Sequence, residues 1–219
     1  MAATLVSPDP RARTSRIGPD AAAVTLRTGR VTSASLVRGR DGATYHPGLL
    51  FLGEGALLEH AVRELRDRSD ILTMNGTGRD HPRLAGLAVH LGTLLDLPTL
   101  GVTHRPLCAD GAWPDDEAEE DSILRIDAEV VGYWLKTMRG ARPLAVHAGW
   151  RTTPATAVEV ATTVSGQNRT PQPLPLARQM ARQARAEKQS GRDVTSGRRS
   201  GRILWFRTAA QQPRRVECG

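Results

Sequence analysis

The chain has 219 residues, 39% of them hydrophobic and 4% aromatic, and a formal net charge of +7. No run approaches the roughly 18 apolar residues that span a bilayer, and the start MAATLVSPDPRAR lacks a secretory pattern. With only Cys108 and Cys218, neither a disulfide framework nor a Cys/His zinc spacing exists, so the expectation is a reduced, cytoplasmic protein with no membrane partner.

Charge is unevenly spread. From Arg178 onward lie 11 of the 30 Lys and Arg but 3 of the 23 Asp and Glu, which leaves 19 against 20 in the rest. An arginine-rich tail attracts nucleic acid by neutralising phosphates. A solvated, disordered tail with no fixed partner is the alternative.

In chain order, residues 2–6 read as a strand that Pro8 and Pro10 end. Residues 22–26 and 31–37 read as two more strands joined by a hairpin at 27–30. Tyr45-His46-Pro47-Gly48 is a loop, and residues 56–68 form a helix burying Leu57, Leu58, Ala61, Val62 and Leu65. Ile71 to Met74 is a short buried strand. Asn75-Gly76-Thr77-Gly78 breaks it. Asp80-His81-Pro82 reads as a helix start with Asp80 as cap, followed by a core stripe of Leu84, Leu87, Ala88, Leu91, Leu94 and Leu95. Residues 99–103 form the next, parallel strand.

Residues 108–124 read as an irregular acidic insertion without the spacing of a calcium loop. Residues 129–137 and 143–147 pair as a hairpin. Thr153 caps a helix through Val164, with Pro154 in its first turn. Residues 170–175 read as an extended linker, and 176–188 as a basic helix before a largely disordered tail. The expected units are a domain over 1–177 and a basic helix and tail over 178–219. Three antiparallel strands, then helix, strand, helix, strand, is the order of a ribonuclease H-like α/β sheet flanked by helices. Ligands of such open sheets bind beyond the carboxyl ends of the parallel strands. Asn75, Thr77, His81 and His104 are placed there.

Specific motifs carry a family resemblance. Tyr45-His46-Pro47-Gly48-Leu49-Leu50 with Phe51-Leu52-Gly53-Glu54-Gly55 is similar to the YIPGLL…FREGP segment of endonuclease V. Residues 75–83, NGTGRDHPR, resemble its DGHGxxHPRR loop. Residues 91–102 resemble its SHLG…DLPTIGVAK segment, and 171–177, PQPLPLA, its PEPLRLAD run. The resemblance implies a ribonuclease H-like fold and magnesium-dependent cleavage at the second phosphodiester 3′ to an inosine. It also implies a tyrosine wedge beside the lesion. Such hydrolysis requires clustered carboxylates around one or two dications.

Several family positions are substituted. Glu54 matches a metal carboxylate. Asn75 stands for the loop aspartate, Thr77 for the loop histidine, His104 for the lysine of GVAK, and Trp150 for the histidine of GHRxS. The first-strand aspartate falls near residues 5–7, where no acid occurs; Asp9 is the nearest candidate. Glu54, Asn75 and His104 are therefore the candidate catalytic residues, with Glu54 the one candidate metal ligand. Tyr45, Pro47, Gly48, Gly76, Thr77, Gly78, His81 and Trp150 are candidate substrate contacts.

Each has a plainer role: a helix-start acid for Glu54, an Asx turn for Asn75, loop packing for His81, Tyr45 and Trp150. The expectation is a nucleic-acid-binding protein with a depleted metal site and weak or no hydrolysis next to inosine. One alternative is an active magnesium enzyme using Glu54 and substitute ligands. The other is metal-free small-molecule chemistry, alone or with a partner chain. The cofactor is magnesium if the ancestral activity survives, and otherwise none.

Overall fold

The computed structural model describes residues 2–6, 20–27, 30–38, 50–67, 69–115 and 120–189, with backbone alone for 2–6, 20, 26–27, 38, 50–54, 120–121, 185 and 187–189. In chain order the elements are β1 (Ala2–Val6), β2 (Asp20–Arg27), β3 (Arg30–Arg38), α1 (Leu50–Arg63), β4 (Ile71–Met74), α2 (Leu87–Leu95), β5 (Thr99–Thr103), β6 (Glu120–Ile126), β7 (Glu129–Lys136), β8 (Leu144–Ala148), α3 (Pro154–Ser165) and α4 (Pro173–Gln189).

One eight-stranded sheet runs in the order β3-β2-β1-β4-β5-β8-β7-β6. β1, β4 and β5 are parallel, and every other pairing is antiparallel. This is the ribonuclease H-like order, extended past β5 by three strands.

The period-two pattern of β2 shows how both faces are covered. Ala21 and Ala23 face α1 and α2, packing with Leu58, Ala61, Leu72, Met74 and Leu91. Ala22 and Val24 face the opposite side and meet Ala177, Ala181 and Ala184 of α4. Alanine on both partners lets that helix lie close to the sheet. The same helix thus spans residue 177 and contributes core residues on both sides of it. On its face α3 covers β5, β7 and β8 through Ala157 and Ala161.

Four expectations change. α1 begins at Leu50 rather than 56, taking Gly53 and Gly55 into the helix. Burial of Leu58, Ala61 and Val62 outweighs the cost of about 1 kcal/mol for each interior glycine. α2 begins at Leu87 with Gly86 as cap residue, so Asp80 and Pro82 do not start it. Leu84 lies before the helix with φ +50° and is exposed, as is Leu94.

β6 replaces the irregular reading of 120–124. It is an edge strand, where charged side chains are tolerated because one flank faces water. Finally, α4 begins at Pro173 rather than 176, since first-turn prolines lose no helical hydrogen bond.

Candidate nucleic-acid interface

The carboxyl ends of β1, β4 and β5 share one edge. β7 ends there and β8 begins there, because Thr103 pairs with Ala145 and Leu135 with Leu144. Asn75 follows β4, and the loop behind it lies flat across β5. The Arg79 N–H donates to the Ala148 carbonyl at 2.8 Å, Gly86 N–H to Gly78 O at 2.9 Å, and Ala88 N–H to Thr77 O at 3.0 Å. The close approach explains two glycines. A Cβ on Gly101 would strike the Gly76 carbonyl oxygen, and one on Gly78 the Ala148 carbonyl. Asn75 is half-buried, and its amide makes no hydrogen bond among the described residues, so the Asx turn is not formed. His81 is buried, and its Nδ1 accepts from the Arg83 N–H at 3.3 Å.

Asp80 has a different task from helix capping. It is fully buried, and its carboxylate accepts from three successive backbone N–H groups: Leu107 at 2.6 Å, Cys108 at 2.7 Å and Ala109 at 2.7 Å. It thereby fixes the loop that follows β5. His147, also fully buried, lies behind it. Thr103 Oγ1 lies 2.8 Å from the Arg105 carbonyl and 2.9 Å from His147 Nε2. On the other side of the ring, Nδ1 lies 3.6 Å from Asp80 Oδ2, without a hydrogen bond. Burial lowers the His147 pKa to about 4, and the Asp80 carboxylate offsets only part of that.

This neutral histidine makes stability pH-dependent. Between pH 6.5 and about 4 the unfolded chain takes up a proton that the folded chain refuses. Stability present above pH 6.5 is therefore lost as pH falls through that window, by on the order of 3 kcal/mol. Urea midpoints from pH 7 to 4 should drop steeply in the parent and less in His147→Gln. Equal slopes would contradict the neutral assignment.

Beyond β5 the edge is cationic. A groove of about 1090 Å³ is lined by residues including His104, Arg105, Trp113, Trp134, Arg142 and Arg169. Arg169 Nη2 lies 3.5 Å from His104 Nδ1, and its Nε donates to the Arg142 carbonyl at 2.7 Å. Partial burial, then Arg169 and Arg178, push the His104 pKa below its ordinary value, so it is a neutral imidazole at pH 7. The arginines, not His104, supply the positive charge. The Cys108 thiol is pushed up by burial and the Asp80 carboxylate, the opposite of an activated nucleophile.

Arg178 escaped the sequence reading, although a signal existed. It follows Ala177 at the position of the aspartate that closes the PEPLRLAD run.

Trp150 leaves the sheet at the opposite end of β5, where its carbonyl accepts from the Thr99 N–H at 2.9 Å. It is half-buried, with the Arg151 guanidinium 5.9 Å from its ring. It therefore does not join His104. Tyr45, Pro47, Gly48, Asp9 and the Glu54 side chain lie outside the described residues, as does the tail from 190.

The described residues of this edge supply few donors for a magnesium dication. β1 carries no acid, position 75 is a neutral amide, and the next titratable group along the edge sits among guanidiniums. Among the described residues no three His, Cys, Asp or Glu gather as metal ligands. No described helix is long and apolar enough to cross a membrane.

Sheet order, parallel-strand edge and overlying loop define a ribonuclease H-like α/β protein. The endonuclease V family model matches residues 10–179, and the chain belongs to that family. An endonuclease V from Methanothrix thermoacetophila is 38% identical over 133 residues, 61% of this chain and 59% of the relative. The match thus spans under two thirds of that relative's length. The crystal structure of endonuclease V from Streptomyces avermitilis superimposes with a TM-score of 0.79 at 28% identity, covering 86% of this chain and 82% of that one. The Ciona intestinalis enzyme, solved with DNA containing an inosine followed by a ribo-adenosine, has a TM-score of 0.71 at 17% identity, covering 85% and 86%.

Proposed function

We propose that the chain holds nucleic acid, inosine-containing strands among them, along this sheet edge, and that it hydrolyses the phosphodiester weakly or not at all. One observation carries the reading. Of the positions where the family resemblance places carboxylates, Glu54 is kept, but β1 offers none, Asn75 follows β4, and Arg178 stands in the position of an aspartate. An anion approaching this edge meets positive charge, whereas a dication is repelled. The Ciona relative's bound DNA, in a protein of the same fold, supports a nucleic-acid ligand.

The scaffold remains suited to holding a strand. Gly76-Thr77-Gly78 lies flat over β5, packed against Leu87 and Ala148, which fixes the floor of the edge. Asp80 keeps the wall formed by residues 107–109 rigid. Magnesium would be the cofactor only if Glu54 worked with substitute ligands, and then it would supply charge stabilisation at the phosphate.

The test is incubation with inosine-containing and inosine-free single strands, with magnesium, manganese or EDTA. Expected is salt-sensitive binding in every condition and little cleavage. Magnesium-dependent cleavage beside inosine, abolished in Glu54→Gln, would overturn the depleted-site reading.

A further inference from the structure

The groove beyond β5 contains more than the nucleic-acid reading requires. Arg142 and Arg169 are held together: Arg169 is fastened by its own Nε to the Arg142 carbonyl, and its carbonyl accepts from Thr137 Oγ1 at 2.9 Å. Among the described residues no carboxylate pairs with Arg105, Arg142, Arg169 or Arg178, and Asp110 is the one acid among those that line the groove. Crowding like charges without a counterion costs free energy that a bound anion recovers.

An aromatic platform faces the same groove. Trp134 is 6% exposed and its Nε1 donates to the Gly111 carbonyl at 3.3 Å, which fixes it as a wall. Trp113 leans on it at 4.9 Å between centroids, tilted 52°, and is 57% exposed. A large, half-exposed indole beside unpaired guanidiniums matches the two needs of an unpaired nucleotide: a stacking surface and phosphate neutralisation. Three strand spacings separate β7 from β4, about 14 Å, so the groove continues the edge where Asn75 sits.

We propose that this groove binds a single-stranded phosphodiester segment directly, without metal: Arg105, Arg142 and Arg169 hold its phosphates, and Trp113 stacks an adjacent base. The proposal rests on the nucleic-acid reading and adds the subsite and its metal independence. A duplex keeps its bases stacked inside and cannot use Trp113, so single strands bind more tightly.

The experiment is fluorescence anisotropy of the full chain with a labelled single-stranded oligonucleotide in EDTA and in magnesium. Trp113→Ala, Trp113→Phe and the pair Arg105→Gln/Arg142→Gln are measured alongside, each checked for an unchanged melting temperature. The expected result is equal affinity with and without metal, about a tenfold loss in Trp113→Ala with recovery in Trp113→Phe, and a salt slope shallower by about 0.7 for each arginine removed.

Nucleic-acid binding that survives all these substitutions unchanged overturns the subsite and leaves the nucleic-acid reading standing. So does binding that needs magnesium. No binding of any oligonucleotide at low salt overturns both. Polyglutamate binding as tight as the oligonucleotide, with the same losses, would make the groove an acidic-peptide site and overturn the proposal.

Discussion

The double substitution Asn75→Asp with Arg178→Asp should raise the affinity of this edge for dications. The pair adds two carboxylates and removes one guanidinium, a net change of −3, where the family motif has acids. A unit charge about 4 Å from a dication is worth ~2 kcal/mol even at the dielectric of water. Mobile side chains and longer distances reduce the sum, so a gain of about a hundredfold in manganese affinity is expected. Loss of the free manganese signal in electron paramagnetic resonance would measure it. Asn75→Asp alone should gain less, because Arg178 still opposes the ion. A double variant that binds manganese no better than the parent would mean that these two positions do not face a common site.

Asp80→Ala should cost on the order of 3 kcal/mol of folding stability. The carboxylate serves three consecutive N–H donors, and its removal strands them. Each buried unmet donor costs about 1–3 kcal/mol, and two of the three bonds are only partly buried, so water limits the total. Asp80→Asn should be much milder. Its carbonyl oxygen can keep the bonds from Cys108 and Ala109, so that only the Leu107 bond is lost. Urea denaturation compares the two variants; equal costs would show that the three N–H bonds are not what Asp80 contributes.

The fold was legible from the chain because its strands are short apolar runs with clear stops. β1, β4 and β5 each end on residues that leave the sheet. The cap of α3 was also local: Thr153 accepts from the Thr156 N–H, with Pro154 following. The misread elements have separate causes. Asp80 and Pro82 look like a helix start, but the donors that Asp80 serves are 27–29 residues away. β6 looked like a solvated loop because its acids are acceptable on an edge strand.

At the site, the substituted family positions were readable one by one. Their grouping was not. His104 is near Arg169, 65 residues on, whereas Trp150 lies at the other end of β5. Arg178 needed only one more residue of the PEPLRLAD comparison. Its electrostatic effect on His104 needed the folded chain.

The most direct test of the central claim, that this edge receives anions rather than dications, is calorimetric titration of the purified full chain with magnesium and with manganese, beside Glu54→Gln. The account predicts no saturable heat at millimolar metal in either protein. Saturable binding in the parent that disappears in Glu54→Gln would contradict it, and would mean that the carboxylates present suffice to hold the ion.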